Sequence, residues 1–115
     1  MDATKIIEII KNEFLINSAE HGEAYSNGDY KKANKLHKKL HDLYNFVKEY
    51  KKLEIFNESL NDENENIRFW SAIFTLKINS EIAEKILEEL SINSNIKMTA
   101  KTTLHLWKNG KLDLL

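Results

Sequence analysis

Apolar residues recur along this chain at the three- and four-residue steps of amphipathic helices, in six successive stretches. In the first stretch, Ile7, Ile10 and Phe14 start a stripe that Tyr25 continues. The second stretch carries the most regular seam: Ala33, Leu36, Leu40, Leu43, Val47 and Tyr50. Asp2 and Asp29 stand where N-caps are expected. The pattern therefore predicts two long helices, over about residues 2–27 and 30–50.

Four shorter helices are predicted after a break near Tyr50, which no glycine or proline marks. Their apolar positions are Leu53, Phe56 and Leu60; Ile67, Trp70, Phe74 and Ile78; Ile82, Ala83, Ile86, Leu87 and Leu90; and Ile96, Ala100, Thr103, Leu104 and Trp107. The candidate N-caps of the last three are Asp62 with Glu65 or else Asn64, then Ser80, then Ser94 or Asn95. The tail, residues 111–115, is expected either to dock on the last helix or to fray.

The composition fits one helical domain spanning residues 1–115. Hydrophobic residues make up 42% of the chain, and proline is absent, so nothing forbids the helical amide ladder. Gly28 and Gly110 each follow an asparagine where a helix should end. The absence of cysteine excludes disulfide and thiol chemistry. We expect a soluble, cytoplasmic protein without membrane contact, because no apolar run approaches membrane-span length and no signal peptide is evident.

A short phrase occurs twice in the second half of the chain. Each copy has a helix ending at leucine, a loop containing asparagine, an isoleucine followed by a cation and, four positions after the isoleucine, a small residue. The corresponding residues are Leu60, Ile67, Arg68 and Ser71 in one copy, and Leu90, Ile96, Lys97 and Ala100 in the other. This spacing lies in the range of stacked helix pairs. It predicts an all-α fold, a short solenoid of about six helices whose last four form two hairpins.

Three segments resemble a bacterial HEAT-like family of unknown function. Residues 28–35 are similar to the start of the family's second helix, and residues 104–110 to its closing Trp and Gly. Residues 67–72 resemble its signature, a Val-Arg followed by paired alanines, although Ser71 departs from that pattern. The resemblance implies a right-handed HEAT-like stack without known catalytic residues. Similar small HEAT-like proteins occur as immunity proteins beside bacterial toxins, so it also suggests a link to contact-dependent growth inhibition.

Two acidic stretches form the candidate partner-binding surface. No cation stands between Lys52 and Arg68, and a second group of carboxylates follows on the fifth predicted helix. The predicted partner-binding residues are Glu54, Glu58, Asp62, Glu63, Glu65, Glu84 and Glu88. Such a surface would steer a basic protein, for example a nuclease toxin, toward the chain. Helix capping and solubility are the competing explanation, and they account at least for Asp62 and Glu65.

Arg68 begins a predicted helix, where a cation is unfavourable to the helix dipole. We therefore expect a structural role, with a salt bridge to Glu63, Glu65 or an acid on the adjacent repeat. Trp70 and Trp107 fall on apolar stripes, and both are interpreted first as core anchors.

The lysine-rich second helix supports an alternative, the binding of nucleic acid. Eight lysines against three carboxylates give residues 29–52 a formal charge of +5, which could contact phosphates. A solvated helix face is the favoured explanation, since this segment has no arginine. His37 and His41, four residues apart, could supply half a zinc site, with His21 as a third ligand. Because the sequence shows no cluster of metal ligands around this pair, we favour a solvated basic face over a zinc site for these histidines too.

No pattern in the chain indicates catalysis. There is no Gly-x-Ser-x-Gly elbow and no glycine-rich phosphate loop, and the carboxylates fall on faces where nothing would raise their pKa. We predict no enzyme activity, no cofactor and no metal. The predicted function is a protein-binding module, most specifically an immunity protein that masks a toxin. The alternative is a nucleic-acid-binding or scaffold protein that uses the lysine-rich second helix.

Overall fold

The computed structural model describes residues 2–112, which form five α-helices and one 3-10 helix, with no β-strand among them. In chain order they are α1 (Ala3–Ser26), α2 (Tyr30–Glu49), the 3-10 helix (Leu53–Ser59), α3 (Glu65–Thr75), α4 (Ser80–Ile92) and α5 (Lys97–Lys108). The all-α prediction and the six helical segments are confirmed. The prediction for the tail extends to residues 113–115, which lie outside the described residues.

The helices fall into two compact units, Met1–Ile55 and Phe56–Leu115. In the first unit α1 packs on α2, and in the second α4 packs on both α3 and α5. No helix within residues 2–112 combines the length and the apolar character that crossing a bilayer requires. The single domain over residues 1–115 stays a prediction, and each unit is described by itself.

Side-chain caps begin four of the five described α-helices. Asp2 Oδ1 accepts from Lys5 N at 3.0 Å and Asp29 Oδ1 from Lys32 N at 3.2 Å, as the sequence predicts. Each such cap contributes about 1 kcal/mol, because it satisfies an amide that the helix leaves without a partner.

In the second unit the predicted caps need correction. Asn64, and not the Asp62–Glu65 box, caps α3 by accepting from Ile67 N at 3.3 Å and from the amide one residue earlier. Asn79 takes the place predicted for Ser80, and Ser80 is the first helical residue.

Neither predicted residue caps α5, whose N-cap position is Ile96 without a side-chain hydrogen bond. Ser94 Oγ accepts from Ile96 N at 3.1 Å and donates to Leu90 O, so it closes the turn before the helix. Asx and Ser side chains compete for the same amides within two or three residues, which is why spacing alone misplaces them.

Three helices end on the same left-handed turn. The residues at its centre are Gly28 (φ 76°), Lys51 (φ 56°) and Gly110 (φ 68°), after α1, α2 and α5. In each, the next amide donates back to a carbonyl five residues earlier, such as Lys52 N to Val47 O at 3.1 Å. The predicted break near Tyr50 is this turn, made without the glycine that normally signals it.

The first unit has a narrow core along the α1–α2 interface. Its buried apolar residues on these helices are Ile10, Phe14, Ala24, Ala33, Leu36, Leu40, Tyr44 and Val47. Tyr25 and Tyr50 are 55% and 65% exposed, so their predicted place on the apolar stripes is wrong. Ala24 is buried beside Ala33 and Leu36 instead, since small residues let the two helices approach closely at their connecting turn.

The second unit is organised around α3, of which eight of eleven residues are buried. The ring of Phe74 lies 4.9 Å from that of Phe56 and 5.8 Å from that of Trp70, so the prediction of Trp70 as a core anchor is confirmed. Ile78 and Ile82 are each 45% exposed, contrary to their predicted burial. Ile78 follows the end of α3 and Ile82 lies in the first turn of α4, where the chain leaves the core.

Candidate functional site

The structure distributes the seven predicted partner-binding carboxylates over both units. Glu54 belongs to the first unit and the others to the second. Their positions are the 3-10 helix (Glu54 and Glu58), the turn and first residue of α3 (Asp62, Glu63 and Glu65), and α4 (Glu84 and Glu88). Glu54, Glu58, Glu63 and Glu88 are exposed, and the other three are half-buried. Their role in binding a partner stays a prediction.

The turn before α3 is held together by polar contacts of its own side chains. Asp62 Oδ1 accepts from Asn64 N at 2.8 Å, while Arg68 Nη1 donates to the carbonyl oxygens of Asp62 at 2.7 Å and Glu63 at 3.3 Å. The predicted salt bridge of Arg68 is thus corrected: within residues 2–112 the guanidinium binds main-chain oxygens. These carbonyls precede the helix and lack helical partners, so a charged donor stabilises them strongly. Asp62 and Arg68 therefore shape the turn.

The first residue of α3 and the loop before α5 meet through a hydrogen bond, from Asn95 N to Glu65 Oε1 at 3.0 Å, across 30 residues of sequence. These are the two segments that the repeated phrase relates. Beside the bond lies an open depression of about 360 Å³. It is lined by Glu65, Ile92, Asn93, Ser94, Asn95 and Lys97. Glu65, Lys97 and three polar loop residues thus line one surface together with Ile92.

Two large apolar side chains stand exposed in this part of the chain: Ile92, which lines the depression, and Met98, which follows the lining residue Lys97 in sequence. Ile92, at the end of α4, is 65% exposed, and Met98, in the first turn of α5, is 73% exposed. Neither residue lies on a predicted apolar stripe, so helical periodicity does not identify them. The sequence feature that could identify them is an apolar residue that lies outside the helical stripe and next to a polar loop. Exposed apolar residues with a polar rim have the composition of a protein-binding surface.

The carboxylates of α4 are partly compensated. Glu88 Oε1 lies 3.7 Å from Lys108 Nζ of α5, with both side chains about half exposed. Such a solvent-exposed pair contributes under about 1 kcal/mol, but it reduces the negative field near Glu88. We therefore rank the turn before α3 above α4 as the acidic part of the candidate surface.

The histidines of α1 and α2 come together in the first unit. The rings of His21 and His37 lie 6.1 Å apart and nearly perpendicular. Burial lowers the pKa of His21 to about 4, with the neighbouring His37 as the smaller cause. Burial and then His41 lower the pKa of His37. Both imidazoles are therefore neutral at pH 7. No group of three His, Cys, Asp or Glu side chains in residues 2–112 is arranged to hold a metal ion.

The lysine-rich face of α2 is exposed, and one of its cations pairs with a neighbour, Lys38 with Asp42 at 3.4 Å. Tyr25 and Tyr30, 55% and 59% exposed, have ring centroids 5.5 Å apart at the α1–α2 turn. Exposed aromatic rings beside lysines are one feature of surfaces that bind single-stranded nucleic acid. Because Tyr25 continues the predicted apolar stripe of the first helix, the sequence pattern does not indicate this exposed pair.

Comparison with known proteins gives no match to any family model, any curated protein or any solved structure. The HEAT-like resemblance of residues 67–72 has no support from these comparisons. What the chain does must be inferred from its own surfaces.

Proposed function

We propose that this chain is a protein-binding module that acts in the cytoplasm as an immunity protein, covering the active or substrate-binding surface of a basic toxin. The observation that carries the proposal is the hydrogen bond from Asn95 N to Glu65 Oε1, beside which exposed Ile92 adjoins polar groups from the start of α3 and the loop before α5. Binding energy at interfaces concentrates in a few apolar anchors surrounded by a polar rim. Ile92 and Met98 have the exposure that such anchors need.

Charge supplies the second part of the proposal. Residues 53–67 contain five carboxylates and no cation. Asp62 and Glu65 have structural partners in the fold, whereas Glu63 is exposed at the same turn. Arg68 is the cation at this turn, so the carboxylates are in excess there. An excess of one charge raises the association rate with an oppositely charged protein without adding much to the final affinity. We therefore assign steering to this turn and anchoring to Ile92 and Met98.

We also propose that the second unit is a HEAT-like pair of hairpins. The hydrogen bond between the start of α3 and the loop before α5 supports side-by-side packing of equivalent segments. Ser71 and Ala100, the equivalent small residues, are both fully buried, as close packing of repeated helices requires. A solenoid of this kind exposes a ready-made binding surface on its loop edge.

The test uses the protein encoded in the neighbouring reading frame, co-expressed with this chain in a growth assay and then titrated by surface plasmon resonance. We expect the neighbouring protein to arrest growth and co-expression of this chain to relieve the arrest. Glu63→Lys should slow association about two- to fivefold at low salt and lose its effect at high salt. Ile92→Ala should mainly accelerate dissociation.

Glu81→Lys is the matched control, because Glu81 is exposed in the first turn of α4 and lies outside the candidate surface. Equal slowing by Glu63→Lys and Glu81→Lys would mean that only net charge matters. A neighbouring protein that neither arrests growth nor binds this chain would count against the immunity role.

Binding of single-stranded nucleic acid by α2 is the second candidate, favoured by the exposed Tyr25–Tyr30 pair. A fluorescent oligonucleotide should then bind with an affinity that falls steeply with salt and drops about fivefold or more in Tyr30→Ala, since each stacked base contributes roughly 1–3 kcal/mol. No binding at low salt eliminates this candidate.

A further inference from the structure

An apolar groove opens in the first unit, far in sequence from the surface discussed above. It has a volume of about 220 Å³ and lies between the first two turns of α1 and the end of α2. Its lining is Ala3, Ile6, Ile7, Ile10, Phe46, Val47, Tyr50, Lys52 and Ile55. Eight of these nine residues are uncharged and mostly aliphatic or aromatic, so the groove is a hydrocarbon surface with a single ammonium group.

The left-handed turn at Lys51 builds one end of this groove. With φ at 56°, Lys51 reverses the chain after α2, and Lys52 N donates to Val47 O at 3.1 Å. Ile55 N then donates to Lys52 O at 3.0 Å, which fixes the short segment that carries both lining side chains. A residue with a side chain is strained in this left-handed conformation. Strain of this kind concentrates where the backbone shapes a functional site.

The groove is open to an incoming ligand. Ile6, Phe46 and Tyr50 are 38%, 43% and 65% exposed, and the Phe46 and Tyr50 rings lie 4.9 Å apart. Ile10 and Val47 of the same lining are almost fully buried, so part of the groove's surface belongs to the unit's own core. Apolar walls on a fixed floor can bury a hydrocarbon without rearranging the fold.

We propose that this groove binds a short anionic amphiphile, a medium-chain alkyl carboxylate, with the alkyl chain between α1 and α2 and the carboxylate beside Lys52. The volume is below the roughly 300–1,000 Å³ of sites for drug-sized ligands, which limits the occupant to a short chain. Among the described residues 2–112, Lys52 is the one charged residue of the lining, so it selects an anionic head group. This binding site is independent of the proposed toxin-binding surface, and its ligand would bind whether or not a toxin partner exists.

The test is calorimetric titration of the whole chain with hexanoate, octanoate, decanoate and dodecanoate below their micellar concentrations. Each CH₂ buried contributes about 0.8 kcal/mol, so affinity should rise about fourfold per carbon and level off once the groove is full. Amide resonances of residues 3–10 and 46–55 should shift in the same titration. Alcohols of equal length report the contribution of the head group.

Variants locate the site. Ala3→Phe fills the groove from an exposed position and should reduce octanoate affinity at least tenfold, while Ile6→Ala should reduce it about threefold or more. Lys52→Gln should weaken octanoate about three- to fivefold and leave octanol unchanged, because only the ion pair is lost. Ile16→Ala is the control, since Ile16 is 54% exposed on the same helix but outside the lining. Circular dichroism checks that each variant is folded.

Three results would overturn the proposal. One is affinity that does not depend on chain length. Another is resonance shifts at Ile92 and Met98 in place of the groove. The third is a concentration-dependent dimer, detected by sedimentation, that Ala3→Phe abolishes, because the groove would then hold a second copy of the chain. Equal binding of octanoate and octyltrimethylammonium also excludes the role assigned to Lys52.

Discussion

The two units bury their helices differently. In α2 of the first unit, five of twenty residues are buried, all on one stripe that faces α1. In α3 of the second unit, eight of eleven residues are buried, among them the adjacent run from Phe69 to Thr75. A helix with one packing partner needs only a stripe, whereas a helix covered on several sides needs apolar residues around its whole circumference.

This difference determines where function can reside. The first unit leaves large apolar side chains exposed, among them Ile6, Phe46 and Tyr50, because a two-helix hairpin has too few partners to cover them. The second unit covers α3 and, within residues 56–112, exposes large apolar residues only at turns and helix ends, such as Ile78 and Ile92. The groove thus lies along helices in one unit, and the proposed docking surface lies on loops in the other.

The largest expected effect contrasts two phenylalanines. Phe74 is fully buried in α3 and Phe46 is 43% exposed in α2. Phe74→Ala should lower the free energy of unfolding by about 3–5 kcal/mol, because it creates a cavity. Phe46→Ala should change it by less than about 1 kcal/mol. Urea unfolding followed by circular dichroism measures both, and equal losses would refute the contrast between the units.

Acid should destabilise the first unit through His21. Its pKa is about 4 in the fold and 6.5 in the unfolded chain, so the unfolded chain takes up the proton first as the pH falls. The stabilisation is complete above about pH 6.5 and is lost progressively toward pH 4. We expect a loss of about 1–2 kcal/mol, allowing for solvent screening. His21→Gln should be less sensitive to pH over this range, and an unchanged pH profile would exclude the effect.

Two buried serines should respond differently to alanine substitution. Ser71 Oγ in α3 is fully buried and has no hydrogen-bond partner within the described residues, so Ser71→Ala should stabilise the protein by about 1 kcal/mol. Ser18 Oγ in α1 donates to Phe14 O at 2.6 Å, and Ser18→Ala should be neutral within about 0.5 kcal/mol. Thermal unfolding compares the two, and destabilisation by Ser71→Ala would show that its hydroxyl has a partner.

The smallest effect concerns the left-handed turns. Lys51→Gly should stabilise the chain by up to about 1 kcal/mol, because glycine relieves the strain at φ 56°. Gly28→Ala should destabilise it by about 1 kcal/mol, although nothing lies within 4 Å of the added methyl group. Both changes are measured by denaturant unfolding. A loss of stability in Lys51→Gly would show that the lysine side chain contributes more than its strain costs.

Apolar periodicity and capping residues predict the helices of this chain well. The seam of α2 from Ala33 to Val47, the caps Asp2 and Asp29 and the helix ends at Gly28 and Gly110 follow from local rules, and the structure confirms them. The sequence predicts a break near Tyr50 but not its left-handed geometry, because Lys51 is neither a glycine nor an asparagine, the residues that usually mark such a turn. Caps in the second unit were misassigned where several Asx and Ser residues lie within reach of the same amides.

The candidate surfaces could be predicted only in part. The acidic turn before α3 is visible in the sequence, but its link to the loop before α5 joins residues 30 positions apart. The groove depends on how α1 crosses α2 and on a strained turn, and neither is a property of local spacing.

The sequence by itself therefore determined the helical elements and their apolar faces, because the 3.6-residue period and the chemistry of caps act over a few neighbouring residues. Tertiary structure decided which apolar residues are covered and which remain exposed. Tyr25, Tyr50 and Ile82 lie on predicted stripes and face solvent, since burial requires a packing partner as well as the right period.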